Sequence, residues 1–411
     1  MRVDLLIEAR WVLPMAPVNT VLRDQAVAVA SGRIAGIGPI AEMNERFEAR
    51  ERVVRQHHAL LPGFINAHTR AATTLLRGVP VMGPRSEWLR RTLRPAEARS
   101  LSRDFVRDGT ELAMAEMLRA GTTAFANTYW FPEESARLAS ALRMRVSIGL
   151  PVTERSNAWA DGANGHFQKA EQLWDEYKAD SWVCLHFASQ DLDEVSDQTL
   201  ARLRRVADEL DARVVMEHAP LRRVNGLGLL RPGFTAVGPV AAEDVPLIGA
   251  SGACVVACVQ SDLRLGEGHM PWSELQAHTV TIGLGSGDAA SAGALDLLAE
   301  SRAAAFQGSS AAEVLRMATL GGATAIGLGG VCGSIEPGKS ADLVCFDLNR
   351  LACQPTLQVP EALVFAASRE QVTDVWTSGR AAVSAGELLV FDESRVASIA
   401  RRWELESGAH T

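Results

Sequence analysis

The sequence predicts an α/β fold, a (β/α)₈ TIM-type barrel accompanied by a composite β-sandwich from the N- and C-terminal segments. Between residues 61 and 339, short apolar runs such as RVSIGLPV, RVVMEHA and CVVACVQ alternate with helical segments. The two ends of the chain lack this alternation and are rich in strand-like runs. An open doubly wound sheet is the alternative arrangement of the central region.

The two ends of the chain contain short apolar runs separated by turns. The N-terminal runs DLLIEARWVL and AVAVASGRIAGIG are typical of strands, with a hairpin turn at Ser31 and Gly32. The C-terminal runs SADLVCFDL and VTDVWTSGRAAV have the same pattern and precede a polar helical tail. The predicted domains are therefore a composite β-sandwich of residues 1–60 plus 340–411 and a barrel of residues 61–339.

Composition and charge exclude several classes of function. The chain has 411 residues, of which 47% are hydrophobic, and a formal net charge of −8. Proteins that bind nucleic acid normally carry a basic face that displaces counterions, so no nucleic-acid partner is expected. No GxGxxG or GxxxxGK[ST] run follows a predicted strand, which leaves a nucleotide-phosphate loop without support. We expect a small-molecule ligand instead.

The cysteines and the N-terminal segment indicate the cellular location. None of the six cysteines forms a CxxC pair, and the chain starts without a basic segment followed by an apolar one. Cys254 and Cys258 have the spacing of a metal clamp, but the apolar run GACVVACVQ favours packing in a buried strand. We therefore expect a cytoplasmic protein without membrane association.

Four segments carry a resemblance to a known family. LLPGFINAHTRAATTLLRG, RDGTELAMAEMLRAGTTAFANTYWFPE, LGSGDAASAGALDLLAESR and GSIEPGKSADLVCFDL resemble the amidohydrolase superfamily. The closest branch is that of S-adenosylhomocysteine and 5′-methylthioadenosine deaminases and triazine hydrolases (chlorohydrolases). The resemblance implies hydrolysis of a non-peptide C–N bond by a water that one divalent metal, usually zinc, activates. It also implies a homo-oligomer.

Most of the metal-binding positions implied by the resemblance hold other residues. His68 is retained, but Arg70 replaces the second histidine of the first barrel strand, and a guanidinium has no lone pair to donate. On the fifth strand, Glu217 stands at the position of a histidine ligand and Pro220 at that of the proton-relay glutamate. Gly238 replaces the ligand of the sixth strand. The family zinc is therefore not expected.

Three further positions depart from the family pattern. The aspartate of the eighth strand is displaced by one residue, to Asp288, which turns a strand side chain to the opposite face unless a loop intervenes. Gln190 takes the place of a histidine that contacts substrate. Ala257 stands where the SVxHCPxSN-type run has another histidine.

The retained polar residues admit three interpretations. His68, Arg70, Glu217 and Asp288 are the candidate catalytic residues of a metal-free enzyme, with His68 or Glu217 as base and Arg70 as an electrostatic clamp. Alternatively, Arg70 and Glu217 form an ion pair that fills the vacated metal pocket, since a buried arginine requires a partner. A rearranged metal site would use His68, Glu217, His218 and Asp288.

Five residues are predicted to contact the ligand. The resemblance implies that the segments of Trp88 and Trp130 lie at the pocket, where the indole rings would stack on a flat heterocycle, although tryptophan is also a common core residue. His218 follows the fifth strand, and His269 lies in a loop after the seventh. The set is Trp88, Trp130, Gln190, His218 and His269.

The loss of metal ligands predicts a non-hydrolytic binding protein, or pseudoenzyme, for a small heterocyclic or nucleoside-like ligand, without a cofactor. A metal-free enzyme acting on a heterocyclic or amine substrate is the first alternative. A deaminase or hydrolase with a rearranged metal site is the second. Whether the chain is an enzyme stays open at this point.

Overall fold

The computed structural model describes the chain except residues 190, 191, 193, 194 and 409–411, and it describes side chains as far as residue 405. Gln190 therefore lies outside the described residues. The strands, numbered in chain order, are β1 (Arg2–Val12), β2 (Leu22–Ala30), β3 (Arg33–Pro39), β4 (Glu48–Pro62), β5 (Phe64–Arg70), β6 (Thr122–Asn127), β7 (Arg145–Pro151), β8 (Val183–Ser189), β9 (Arg213–Glu217), β10 (Phe234–Val237), β11 (Cys254–Ala257), β12 (Thr281–Leu284), β13 (Gly287–Asp288), β14 (Leu343–Asp347), β15 (Val372–Thr377), β16 (Arg380–Ser384) and β17 (Glu387–Leu388).

The helices connect these strands and cover the barrel. They are α1 (Ile40–Arg46), α2 (Arg85–Trp88), α3 (Arg94–Ser100), α4 (Arg103–Arg119), α5 (Pro132–Leu142), α6 (Gly162–Tyr177), α7 (Asp197–Glu209), α8 (Leu221–Gly226), α9 (Val245–Ser251), α10 (Val259–Leu265), α11 (Trp272–Ala277), α12 (Ala289–Ala292), α13 (Leu297–Phe306), α14 (Ala311–Arg316), α15 (Gly322–Ala325), α16 (Val359–Glu361) and α17 (Glu393–Gly408). Within the described part of the chain, no helix combines the length and apolar character needed to span a bilayer.

Strands from both ends of the chain form one sheet in the order β17-β16-β15-β14-β4-β1-β2-β3. Neighbouring strands are antiparallel except for the parallel pair β1 and β4. Pairing of β14 with β4 joins the C-terminal strands to the N-terminal ones. The predicted turn at Ser31 and Gly32 is present, and both residues have positive φ, as a tight hairpin turn requires. The exact domain boundaries stay a prediction.

The central strands form a parallel sheet that closes into a barrel. Each strand from β5 to β11 pairs with the next one along the chain, and β13 pairs with β5. The eighth barrel strand is thus split into β12 and β13 around Gly285 and Ser286. The Asn66 side chain bridges this interruption, since it donates to Ser286 Oγ at 2.7 Å and accepts from the Ser286 amide at 3.0 Å. The predicted barrel is confirmed.

Glycine is required at the interruption because the backbone of β5 lies against it. A Cβ atom on Gly285 would lie 2.8 Å from both the amide nitrogen and the carbonyl oxygen of His68. Contacts this short would force the two strands apart. Gly285 therefore fixes the distance between the eighth barrel strand and the one that carries His68 and Arg70.

Candidate active site

Side chains from several barrel strands converge at the carboxyl ends of those strands, where (β/α)₈ enzymes carry their active sites. His68 and Arg70 come from the end of β5, Glu217 ends β9, Gly238 follows β10, and Asp288 ends β13. All five line a pocket of about 30 Å³, which we call the floor pocket. The four residues predicted to be catalytic are thus brought together.

A larger cavity opens outward from the floor pocket. Its volume is about 420 Å³, and Arg70 and Arg85 line both spaces. Apolar side chains of Leu89, Trp130 and Val152 form part of its wall. A cavity of this volume and character is typical of a site for a small organic ligand.

Glu217 is the centre of a buried ionic cluster. The Arg70 guanidinium donates to Glu217 Oε2 at 2.6 Å, and Arg85 Nη2 lies 3.5 Å from the same oxygen. The other oxygen, Oε1, lies 3.4 Å from His68 Nε2 and accepts no hydrogen bond from the described residues. Glu217, Arg70 and His68 are each less than a tenth exposed. The predicted ion pair between Arg70 and Glu217 is confirmed.

The charges in this cluster reinforce one another. Burial alone would raise the pKa of Glu217, but Arg70, His68 and Arg85 together hold it well below its usual range. Burial opposes the charge of Arg70 too, yet Glu217 and Asp288 raise its pKa. The carboxylate and the guanidinium are therefore both ionised throughout the physiological pH range.

A second carboxyl group of the floor pocket behaves differently. Asp262, on α10, is nearly buried, and its Oδ2 has no hydrogen-bond partner among the described residues. Burial raises the pKa of Asp262 to about 7. This group consequently exchanges a proton near neutral pH, whereas Glu217 stays ionised.

The other predicted binding residues have different positions. Trp88 lines the floor pocket but is 1% exposed, and its indole NH donates to the carbonyl of Pro80. Trp130 lines the large cavity. His269 is exposed and lines neither space. Direct ligand contact stays a prediction for each of the three.

His218 lines the floor pocket together with its neighbour Glu217. Adjacent residues of a strand point to opposite faces, but β9 ends at Glu217 and His218 has a φ of +47°. The change of backbone conformation brings both side chains to the pocket. His218 Nδ1 lies 3.4 Å from Glu267, and burial lowers the pKa of His218 to about 4. The imidazole is therefore neutral near pH 7.

The sequence did not single out Arg85, Glu97 or Asp262 as site residues. Glu97 ends the segment SEWLRRTLRPAE and Arg85 directly precedes it, and in this segment the sequence indicated Trp88 alone as a ligand contact. Glu97 lines the large cavity and accepts a 2.8 Å hydrogen bond from the Tyr129 hydroxyl. Asp262 follows an apolar strand, where an acidic residue is the sole local signal.

The zinc that the resemblance implies can be tested against these side chains. The unpaired buried atoms His68 Nδ1 and Glu217 Oε1 are suitable donors. However, two guanidinium groups lie against Glu217, Gly238 supplies no side chain, and Asp288 Oδ1 is used to accept from the Ser291 amide. The described residues include no cluster of three histidine, cysteine, aspartate or glutamate side chains arranged to hold an ion. As arranged, they do not fit zinc.

We expect Arg70→His to increase the zinc retained by the chain. The change removes a cation from the floor pocket and adds an imidazole next to His68 and Glu217, so that three donors can meet one ion. Elemental mass spectrometry after incubation with excess zinc and desalting measures the effect. Arg91→His, at an exposed arginine outside the floor pocket, is the control. Equal zinc contents in the two variants would contradict the prediction.

The whole chain resembles proteins of known activity. It is 35% identical to the 5-methylthioadenosine/S-adenosylhomocysteine deaminase of Teredinibacter turnerae, covering 99% of this chain and 98% of that protein. The protein of the same name from Saccharophagus degradans is 33% identical, with coverages of 98% and 96%. A structure of an adenosine deaminase from Xanthomonas campestris with bound zinc superposes with a TM-score of 0.97, at 37% identity and 99% coverage of both chains.

A more distant structure supports the fold alone. Atrazine chlorohydrolase TrzN from Arthrobacter aurescens TC1, in complex with zinc, is 19% identical, with a TM-score of 0.90 and coverages of 97% and 99%. Both branches named in the resemblance, the deaminases and the triazine hydrolases, therefore occur among the similar proteins.

These relatives correct the functional prediction. The prediction of a non-hydrolytic pseudoenzyme is wrong, because the relatives that cover nearly the whole chain are deaminases. The metal independence expected with it conflicts with the zinc bound to one of these relatives. That prediction gave all its weight to a few substituted positions of the family pattern. The similarity to these deaminases instead extends over nearly the whole length of the chain.

The match to a family model agrees with the individual relatives. The model of the amidohydrolase family matches residues 59–222 and 233–382, which include every barrel strand and the strands β14 and β15 of the terminal sheet. The chain therefore belongs to the amidohydrolase family.

Proposed function

We propose that this protein is a hydrolytic deaminase that acts on a small aminated heterocycle of the nucleoside type. The observation that carries the proposal is the full-length similarity to 5-methylthioadenosine/S-adenosylhomocysteine and adenosine deaminases at 33–37% identity. A barrel in which a ligand-sized cavity opens at the carboxyl ends of the strands supports it. A symmetric homo-oligomer and a cytoplasmic location belong to the same proposal.

The large cavity offers suitable groups for such a ligand. The side chains of Trp130, Leu89 and Val152 provide apolar area for a flat ring. Glu97 supplies carboxylate oxygens to hydroxyl donors such as those of a ribose, and one oxygen is already fixed by Tyr129. Ring and sugar binding would place the amino-bearing carbon toward the floor pocket.

The floor pocket supplies an acceptor and a titrating group for the reaction. Glu217 Oε1 is ionised and free of hydrogen bonds from the described residues, so it can accept from an amino group of the ligand. Asp262 can exchange a proton near neutral pH when water adds to the ring carbon and ammonia leaves. Positioning by the cavity would bring both groups to the reacting carbon.

Ammonia release tests the proposal. Protein purified without chelator would be incubated with 5′-methylthioadenosine, S-adenosylhomocysteine and adenosine, and ammonia measured together with the change in ultraviolet absorbance of the base. We expect release from at least one of these nucleosides. If a folded preparation releases ammonia from none of them, nor from other aminated purines and triazines, the proposed function is wrong.

Asp262→Asn should lower kcat by about 100-fold, the lower end of the contribution of a general acid or base. The substitution keeps shape and removes the titrating proton, so we expect KM to change by less than about threefold. The native protein should show a change of kcat with pH near 7, and this change should be absent in Asp262→Asn. Glu243→Gln, at an exposed acidic residue, is the control. A full rate in Asp262→Asn would exclude a role in proton transfer.

A further inference from the structure

One part of the wall of the large cavity is the loop that connects β7 to α6. This β7–α6 loop comprises residues 152–161, and Val152, Thr153 and Asn157 are among its members that line the cavity. Among the described residues that line the floor pocket, none belongs to this loop. The loop can therefore contact the part of a ligand that lies away from the reacting carbon.

Asn157 organises the backbone of this loop. Its Oδ1 atom accepts hydrogen bonds from the backbone amides of Trp159 and Ala160, at 2.8 Å and 3.0 Å. The backbone amide of Asn157 donates in return to the carbonyl of Ala160 at 3.0 Å. An asparagine that bonds to the backbone two residues later stabilises a compact turn. Because Oδ1 is used in this way, the orientation of the side-chain amide is fixed, and its NH₂ group requires a different acceptor.

His166, on α6, supplies this acceptor. The residue is fully buried, and its Nδ1 atom lies 2.8 Å from the carbonyl oxygen of Gly162. A carbonyl oxygen can only accept, so Nδ1 carries the proton and Nε2 of the neutral ring is the acceptor. Nε2 lies 3.0 Å from Asn157 Nδ2, which donates to it. Burial lowers the pKa of His166, so the ring is neutral near pH 7 and keeps this arrangement.

The ring of His166 also packs against two tryptophans. Its centroid lies 5.4 Å from that of Trp159 and 6.2 Å from that of Trp130, with the ring planes inclined by 61° in both pairs. Trp159 is nearly buried, and its indole NH donates to Glu133 at 3.0 Å. His166 is not among the described residues that line the large cavity, but it contacts two that do, Asn157 and Trp130. It therefore lies directly behind the cavity wall.

We propose that His166 is a positioning residue that holds the β7–α6 loop in its ligand-binding conformation through the hydrogen bond with Asn157. The inference rests on the proposed function and adds a determinant of ligand affinity that lies outside the cavity. A loop that is ordered before binding spares the ligand the cost of ordering it, and a binding conformation populated one-tenth of the time would weaken affinity about tenfold. Glu217 and Asp262 belong to other elements, so the loop should affect binding much more than kcat.

Hydrogen exchange of the ligand-free full chain, measured by mass spectrometry, tests the positioning directly. His166→Phe keeps an aromatic ring against the tryptophans and removes both nitrogens. We expect residues 152–161 to exchange faster in this variant, above all the amides of Trp159 and Ala160 that Asn157 binds. His278→Phe, at an exposed histidine outside this region, is the matched control and should exchange like the native protein. Native exchange of the loop in folded His166→Phe would overturn the inference.

Kinetics and calorimetric binding with 5′-methylthioadenosine show whether the positioned loop serves the ligand. His166→Phe should raise KM and Kd by about tenfold and change kcat by less than about threefold. His166→Gln keeps an amide oxygen near the place of Nε2 and should return both constants to within about threefold of the native values. In an Asn157→Ala background, His166→Phe should have little further effect, because the two residues act through one hydrogen bond. Circular dichroism confirms that each variant is folded.

The outcomes separate this inference from the proposed function. An unchanged Kd in folded His166→Phe would overturn the inference, and so would a His166→Gln variant as weak as His166→Phe, since the effect would then not depend on the acceptor. Either result leaves ammonia release by the native protein unaffected. Conversely, faster loop exchange and weaker binding in His166→Phe, in a chain whose native form releases no ammonia, would support the positioning role and count against deamination.

Discussion

Arg70→Ala is expected to lower the free energy of unfolding by about 3–5 kcal/mol, the cost of breaking a buried ion pair. The side chain is 6% exposed, and its loss leaves Glu217 without the 2.6 Å hydrogen bond from Arg70. Arg85 at 3.5 Å is too distant to replace that bond without moving. Chemical denaturation monitored by circular dichroism measures the change at pH 7.

Two controls identify the cause of this destabilisation. Arg2→Ala breaks an exposed ion pair with Glu48 and should cost less than about 1 kcal/mol. In the double variant Arg70→Ala with Glu217→Ala, the uncompensated charge is removed, so the loss should be smaller than the sum of the single losses. Additive losses would mean that Arg70 stabilises the barrel through packing and not through its pairing with Glu217.

The sequence predicted the barrel because its strands carry a local signal. Runs such as RVSIGLPV and CVVACVQ are apolar and bounded by helices, and they become β7 and β11. The interruption of the eighth strand was not evident, since it depends on the distance between Gly285 and His68 in the folded barrel. Local pattern thus specifies the strands, whereas contacts between strands determine where one is broken.

The site was predicted where residues come from strand ends, and missed where they come from other elements. His68, Arg70, Glu217 and Asp288 were expected together because the carboxyl ends of barrel strands meet. Arg85 lines the same pocket but belongs to α2, which lies outside the barrel strands. The position of this helix relative to the barrel has no signal in the local sequence. The positive φ of His218, which brings its side chain into the pocket, could not be predicted from the sequence either.

The wrong functional prediction relied on the family side chains that the sequence lacks and took no account of the other charged residues of the pocket. Gly238 and Pro220 remove side chains that the family uses, and those losses are easily read. Charged residues on helices, such as Arg85 on α2 and Asp262 on α10, also line the floor pocket and change its charge. No family motif in the sequence marks these two residues. A list of missing ligands therefore describes part of the floor pocket and says little about the cavity above it.

Glu300→Gln is expected to abolish much of the dependence of stability on pH between about 5 and 8. Glu300, on α13, is fully buried and accepts from the Gln260 amide and side chain at 3.3 Å and 3.0 Å. Burial raises its pKa from 4.5 to about 8. The folded state therefore holds a proton that the unfolded chain releases above pH 4.5.

The sign of the effect follows from this difference in proton binding. The stabilisation from Glu300 is complete below pH 4.5 and is lost as the pH rises to about 8, at about 1.4 kcal/mol per pH unit. Glutamine cannot ionise, so the unfolding free energies of Glu300→Gln should vary less with pH than those of the native protein. Glu42→Gln, at an exposed residue, should keep the native slope. Identical slopes for native protein and Glu300→Gln would show that Glu300 is not protonated in the fold, leaving Asp262 as the buried acid to examine by the same measurement.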